Sequence, residues 1–349
     1  MGIAALPVST SPRLVAPLET SVPRAPRIVA IGGGTGLPAV LEGLCAEADA
    51  RNERSRDRIT AVVTVTDDGG SSGRLRQALG VLPPGDVRNC IAAVADERSP
   101  FKTLLQHRFR AAEGLDGHPV GNLLLSALTQ ITGDFAEAVD RLGEMIDLRG
   151  RVMPTTSENV RLRAEMASGE LVTGETAITS RRTAIRRLSL DPSPRPLPEV
   201  LRALVNADAI VVGPGSLYTS ILPNLLVEGV ASTLYGVDAV RIYVANVMTE
   251  PGETDGFSLD DHLRAIRTHV NFDLFDYILV NTSPIGADQV SRYASEGATV
   301  VERGKQLQWA GNATVVERDL LPECGGGKVR HNPRLLARAI RELVDAGRP

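Results

Sequence analysis

Aromatic residues make up only 3% of this 349-residue chain, whereas single-strand nucleic-acid binding leans on stacked rings beside a basic groove. A net charge of −4 and a pI near 5.8 supply no basic excess, so no nucleic-acid partner is expected. Lysine is scarce: Lys102, Lys305 and Lys328 are the whole supply. Arginine carries the positive charge instead, and its planar fork suits phosphate or carboxylate. The three cysteines, Cys45, Cys90 and Cys324, are odd in number and lack C-x-x-C spacing. That argues against a disulfide framework or a zinc site and for a reduced, cytoplasmic protein. No apolar run reaches the roughly 18 to 20 residues that span a bilayer, so no membrane insertion is expected. Residues 1–26 hold many Pro and Ser but no apolar core of a secretory signal. They read as a disordered tail, the alternative being an address or docking peptide.

What is present begins at Arg27–Leu44. The β-branched run Ile28, Val29, Ile31 stops at Gly32-Gly33-Gly34-Thr35-Gly36, and an amphipathic pattern with Leu37, Val40, Leu41 and Leu44 follows. This is strand, glycine loop, helix. Such a loop offers backbone N–H groups at a helix N-terminus, where the dipole favours an anion and no β-carbon holds a phosphate away.

A second strand, Ile59–Thr66, ends in Asp67-Asp68-Gly69-Gly70-Ser71-Ser72-Gly73-Arg74-Leu75-Arg76. The helix between the two strands implies parallel pairing. Ligands gather at the carboxyl ends of parallel strands, so this loop is expected beside the first. The alternative is a solvated turn. Asp86, in Pro83-Pro84-Gly85-Asp86, reads equally as the N-cap of a helix from about Val87 to Ala95 or as a ligand group. A helix over Phe101–Ala111 follows. His118 and Asn122, before the apolar helix Leu123–Ile131, are caps or ligand groups in equal measure, and Phe135–Leu148 is a further helix.

From Val152 to Leu197 the segments shorten and alternate, predicting a small antiparallel β-rich insertion. Its Arg181, Arg182, Arg186 and Arg187 read as a solvated face. Beyond it, strand Ala209–Val212 runs into Gly213-Pro214-Gly215-Ser216, repeating the opening device. Strands at Arg241–Asn246, Tyr277–Val280, Thr299–Val301 and Thr314–Val316 are expected, with helices at Leu259–Val270, Gln289–Ala294 and Pro333–Ala346. The sum is an α/β, Rossmann-like architecture: a mostly parallel sheet with helices on both faces, forming one domain over 27–349 with an insertion at about 152–197.

Gly34, Gly36 and Ala39 overlap a dinucleotide fingerprint, but that motif wants an acid about 20 residues later. Here the acids arrive late and as a pair, Asp67 and Asp68, which suggests Mg²⁺ between carboxylate and phosphate oxygens. No Gly-Lys-Ser/Thr marks a Walker loop, and no Ser, His and Asp arrangement marks nucleophilic catalysis. Any chemistry is expected to be phosphoryl or phosphodiester transfer by positioning and charge stabilisation.

Six ordered motifs, I-G-G-G-T-G, V-T-D-D-G-G-S-S-G-R-L-R, P-P-G-D-V-R-N, G-H-P-V-G-N-L-L-L, G-P-G-S-L-Y-T-S-I-L-P-N-L-L-V and N-V-M-T-E-P-G-E-T-D-G, resemble the bacterial gluconeogenesis factor family (YvcK-like). That family shares its fold with the 2-phospho-L-lactate transferases (CofD-like). The resemblance implies a cytoplasmic protein that binds a UDP-sugar or another nucleotide derivative. It also implies a role in cell shape and wall synthesis during gluconeogenic growth, with the wall-synthesis machinery as partner. A homo-oligomer is compatible with it. The alternative is an Mg²⁺-dependent transferase moving a phospholactyl or phosphoenolpyruvyl group from a nucleotide-activated donor to a deazaflavin alcohol. The expected ligand residues are Gly32, Gly33, Gly34, Thr35, Gly36, Asp67, Asp68, Ser71, Ser72, Arg74, Asn122, Gly213, Gly215 and Ser216, with Asp67 and Asp68 on the metal. Tyr293 and Arg330 match late family positions for stacking on, and pairing with, a nucleotide-sugar.

Overall fold

A computed structural model describes residues 24–110, 114–304, 306–323 and 327–347. The tail reading therefore lies, apart from 24–26, outside the described residues, as do Lys305 and Cys324.

The chain opens with β1 (Ile28–Gly32), α1 (Gly36–Ala50), β2 (Ile59–Val63), α2 (Gly70–Leu79), α3 (Gly85–Val94), α4 (Pro100–Gln106), α5 (Val120–Thr132), α6 (Phe135–Ile146) and β3 (Arg151–Pro154). The insertion follows as β4 (Arg161–Met166), β5 (Leu171–Thr173), α7 (Glu175–Ser180) and β6 (Ile185–Asp191). Next come α8 (Pro198–Val205), β7 (Ala209–Val212), a π-helical turn over Leu217–Ile221, α9 (Leu222–Leu225), α10 (Val230–Gly236) and β8 (Val240–Val244). The last part is α11 (Leu259–Val270), β9 (Tyr277–Asn281), α12 (Ala287–Ser295), β10 (Thr314–Arg318) and α13 (Pro333–Ala346).

Seven strands form one parallel sheet in the order β10-β9-β8-β7-β1-β2-β3, and β5-β4-β6 form a separate antiparallel sheet. Every residue of β1, β2 and β7 is buried, as expected of strands covered on both faces. Alternation along β1 divides the core. Ile28 and Ala30 face α1, α3, α5, α6 and α13, while Val29 and Ile31 face α8 to α11 and the insertion, because successive side chains leave a strand on opposite sides.

Four expectations change. The stretch after Asp68 is a helix, α2, despite its glycines and serines; tertiary hydrogen bonds from Ser71 and Ser72 outweigh weak propensity. The helix expected to Ala111 stops at Gln106. Val152 belongs to β3, the edge of the main sheet, so the antiparallel sheet of the insertion begins at Arg161. Thr299–Val301 reduces to a single bridge between Val300 and Met248, since Thr299 bonds the loop residue Thr249 rather than a neighbouring strand.

Between β1 and β7 the order reverses: the chain leaves β1 toward β2 and β3, then returns to β7 on the other side. Asn224, fully buried in α9, ties this point together. Its Nδ2 donates to the carbonyls of Gly32 (2.9 Å) and Ser220 (2.7 Å), and its Oδ1 accepts from Thr155 Oγ1. Replacing Asn224 with Ala strands these buried groups at roughly 1 to 3 kcal/mol each. The urea midpoint of Asn224→Ala should fall accordingly; an unchanged midpoint would show that water replaces the amide without loss.

Candidate functional site

The carboxyl ends of β1 and β7 meet at the switch point, the place where ligands bind in open α/β sheets. The two glycine loops touch there. A Cβ on Gly36 would lie 2.2 Å from the carbonyl oxygen of Pro214, so only glycine allows the backbones to approach this closely. Asn246, just past β8, grips the second loop with both ends of its amide: Gly215 N–H donates to Oδ1 (3.0 Å) and Nδ2 donates to Gly215 O (2.9 Å).

One half of the site is a cleft over these loops. Thr35 and Gly36 at the start of α1 line it with Gly215, Ser216 and Glu250, and Tyr293 and Arg330 form part of its wall. Tyr293 projects from α12, a helix with no buried residue, and its hydroxyl accepts the Val329 N–H at 3.0 Å. This contact fixes the segment that carries Arg330. Arg330 itself is exposed and makes no hydrogen bond or ion pair among the described residues.

The other half is acidic. Asp86 does not cap its own helix, whose N-cap is Pro84; its Oδ2 instead accepts the Gly34 N–H of the first loop at 2.7 Å. Burial raises the Asp86 carboxyl to about 6, with neighbouring Asp67 adding to the effect. Glu175, from the insertion, faces the same place. Burial first, then Asp67, Asp86, Glu253 and Asp68, raise it to about 9. Glu253 is raised by burial and by Glu250.

Helix N-termini attract anions, and here the chain supplies several of its own. Glu253 accepts from Tyr218 N–H (3.2 Å) and Thr219 Oγ1 (3.0 Å). The turn after the second glycine loop is thus closed by a carboxyl group of the chain, while Gly215 and Ser216 themselves line the cleft. Asp68 accepts from Thr176 N–H (2.9 Å) and Thr176 Oγ1 (2.7 Å) at the start of α7. It is drawn to the insertion because the start of α7 presents unpaired N–H groups.

Ser71 and Ser72 spend their hydroxyls on the protein, and Asn122 spends its Nδ2, while its Oδ1 is buried without a partner. Ser71 Oγ meets His118 Nδ1 at 2.8 Å and accepts from Asn122 Nδ2 at 3.0 Å, and Ser72 Oγ accepts Gly85 N–H at 3.1 Å. His118 and Asn122 therefore clamp α2 to α5 rather than capping α5. Arg74 donates to Asp116 O at 2.8 Å. Gly32 ends β1 and Gly213 follows β7, and Gly33 lies against Asp86 and Thr64. Sequence reasoning missed Glu175, Asn246 and Glu253. Asn246 and Glu253 stand in a motif already noticed, N-V-M-T-E-P-G-E, whereas nothing around Glu175 marks it.

Among the described residues no three or more His, Cys, Asp or Glu side chains are grouped so as to hold a metal ion, and no helix is long and apolar enough to cross a membrane.

The topology and this cleft define a Rossmann-like α/β protein with a polar site at its switch point. The model of the family described as 2-phospho-L-lactate transferase CofD matches residues 28–321. Gluconeogenesis factors are similar over nearly the whole chain. That of Halalkalibacterium halodurans is 43% identical over 317 residues, covering 90% of this chain and 95% of the relative; that of Bacillus subtilis is 41% identical over 320, covering 91% and 98%. A crystal structure of a UPF0052 family member from Bacillus halodurans superposes with a TM-score of 0.84 at 41% identity, covering 90% of this chain and 98% of that one. The chain belongs to the CofD family and groups with its gluconeogenesis factors.

The raised Glu175 carboxyl makes a pH prediction. Its folded value of about 9 exceeds the ordinary 4.5, so the native state holds the extra proton between these values. The stability this group allows therefore falls as pH rises from about 4.5 to 9. Urea midpoints measured at pH 6 and pH 9 should drop more for the natural chain than for Glu175→Gln. Equal drops would place Glu175 in solvent.

Proposed function

We propose that this protein is a cytoplasmic gluconeogenesis factor that binds a UDP-sugar across the switch-point cleft and supports cell shape and wall synthesis under gluconeogenic growth. The supporting observation is the meeting of Tyr293 and Arg330 with the start of α1 around one cleft. The α1 N-terminus favours a phosphate there. Arg330, unpaired among the described residues, reaches the same phosphates from the opposite wall, and the Tyr293 ring offers a face to a base or sugar. Calorimetry with UDP-N-acetylglucosamine tests this. Saturable binding is expected, and Arg330→Ala should weaken it roughly 10- to 100-fold, the worth of a hydrogen bond to a charged group. Absence of saturable binding to the natural chain, with and without Mg²⁺, would overturn the reading.

A second reading, a transferase acting from a nucleotide-activated donor on a deazaflavin alcohol, draws on the acidic half. Mg²⁺ commonly takes one or two carboxylates and completes its shell with water and phosphate oxygens. Asp67 and Asp86 fit this: a Cβ on Gly85 would lie 3.2 Å from Asp67 Oδ2, and one on Gly33 2.7 Å from Asp86 Oδ2, so glycines leave room around both carboxylates. Asp68 fits poorly, being engaged by Thr176. Bound there, Mg²⁺ would neutralise developing phosphate charge, while Asp86 keeps the first loop in place through Gly34. Any Mg²⁺ dependence of nucleotide affinity should then be lost in Asp86→Asn and retained in Asp68→Asn. The reverse order would return the metal to Asp68, and no product from donor and deazaflavin alcohol beyond a no-enzyme control would remove the transferase reading.

A further inference from the structure

The small antiparallel sheet of the insertion has one buried face and one open face. Leu162, Ala164, Val172 and Leu188 point into the core, and the residues between them point outward, because side chains alternate along a strand. In β6 the alternation breaks: Arg186 and Arg187 are adjacent and both exposed. The register slips between Glu165 and Met166 on the facing strand, and a bulge of this kind re-aims a side chain.

The open face is an arginine surface. Arg161 and Arg163 stand two residues apart on β4, both exposed. Arg187 lies diagonal to Arg163, since Arg163 pairs with Ser189 and Glu165 with Arg187, and diagonal neighbours are within reach of long side chains. The acidic supply is small. Glu165 is taken by Arg186 at 2.9 Å, and Asp191, opposite Arg161, makes no ion pair among the described residues. The side chains of Arg161, Arg163 and Arg187 make no hydrogen bond or ion pair among the described residues either. Exposed arginines elsewhere have acidic partners, as Arg141 has Glu137 and Arg303 has Glu317. In a chain of net charge −4 this surplus is local rather than compositional. Like charges held side by side on a sheet are unfavourable, and an acidic partner would relieve them.

We propose that this face docks an extended acidic segment of a partner protein. Residues two apart on a strand lie about 7 Å from one another, so carboxylates at alternate positions of an extended segment match Arg161 and Arg163. Arg187 takes a third. Leu171 on β5, 59% exposed and level with Glu165, adds one apolar contact beside them. Two other polyanions fit less well. Single-stranded nucleic acid stacks its bases on aromatic rings, and β4, β5 and β6 carry none. Surface binding to a membrane joins basic residues to a stripe of apolar ones, and Leu171 stands alone. None of these residues lines the switch-point cleft, so the proposal is independent of the nucleotide reading.

The test uses the whole chain and a labelled decapeptide in which glutamate alternates with serine, read by fluorescence anisotropy. Saturable binding is expected, weakening as salt rises, with none to the peptide in which lysine replaces glutamate. Arg163→Glu combined with Arg187→Glu should weaken it about 5- to 30-fold, the worth of two reversed surface charges. Arg202→Glu combined with Arg338→Glu, at exposed positions of α8 and α13, changes the net charge equally and should leave affinity within twofold. Thermal melting verifies that both double variants fold. Absence of saturable binding overturns the proposal. So does an equal loss in both double variants, which would show attraction to overall charge only. Oligouridylate and phosphatidylglycerol vesicles are measured beside the peptide. If either binds more tightly than the peptide and loses that binding when Arg163 and Arg187 are reversed, the face serves nucleic acid or membrane and the proposal falls.

Discussion

The contact on which the molecule depends is the backbone approach of Gly36 to Pro214. At 2.2 Å from a Cβ built on Gly36 to the Pro214 carbonyl, no other residue fits without moving one loop. This contact seats the start of α1 against the turn after β7, and it does so where the strand order reverses. The remaining parts of the site secure that junction from each side. Asn224 holds the end of β1 from below, Asn246 holds Gly215, and Asp86 reaches Gly34 from the second half of the site.

Around this junction the chain places more negative charge than a phosphate site would favour. Asp67, Asp86, Glu175, Glu250 and Glu253 crowd the carboxyl ends of the strands. Two devices make the crowding tolerable. Some carboxylates accept hydrogen bonds from backbone N–H groups that otherwise have no partner, as Asp86 does from Gly34. Others keep a proton: Glu175, raised to about 9, is neutral at physiological pH. The anion-attracting cleft and the acidic half can therefore adjoin one another, because charge on one side is spent or protonated while Arg330 stays available on the other.

Much of the architecture was legible in the residues. The β-branched runs at Ile28, Ile59 and Ala209, each leading into a loop that contains glycine, announced parallel strands and their loops, since a strand buried on both faces leaves a continuous apolar run. Helix α2 was not legible, because its glycines and serines read as a turn and its stability comes from His118, Asn122 and Gly85, distant in sequence. Strand β3 looked like part of the insertion for a related reason: four residues at a sheet edge carry too little periodicity to reveal which sheet they join.

By itself the sequence determined the class of fold, the family and the loops that surround the switch point, because glycine spacing, β-branching and motif order are local properties. Only the tertiary structure decided what each acidic group does. Asp67 and Asp68 are neighbours in the chain, yet Asp68 turns to Thr176 on α7 while Asp67 faces Asp86. Glu175 joins them from an insertion whose local pattern says nothing of the site. A carboxylate goes to whichever unpaired N–H group the fold brings within reach, and that neighbour is set by packing across more than a hundred residues.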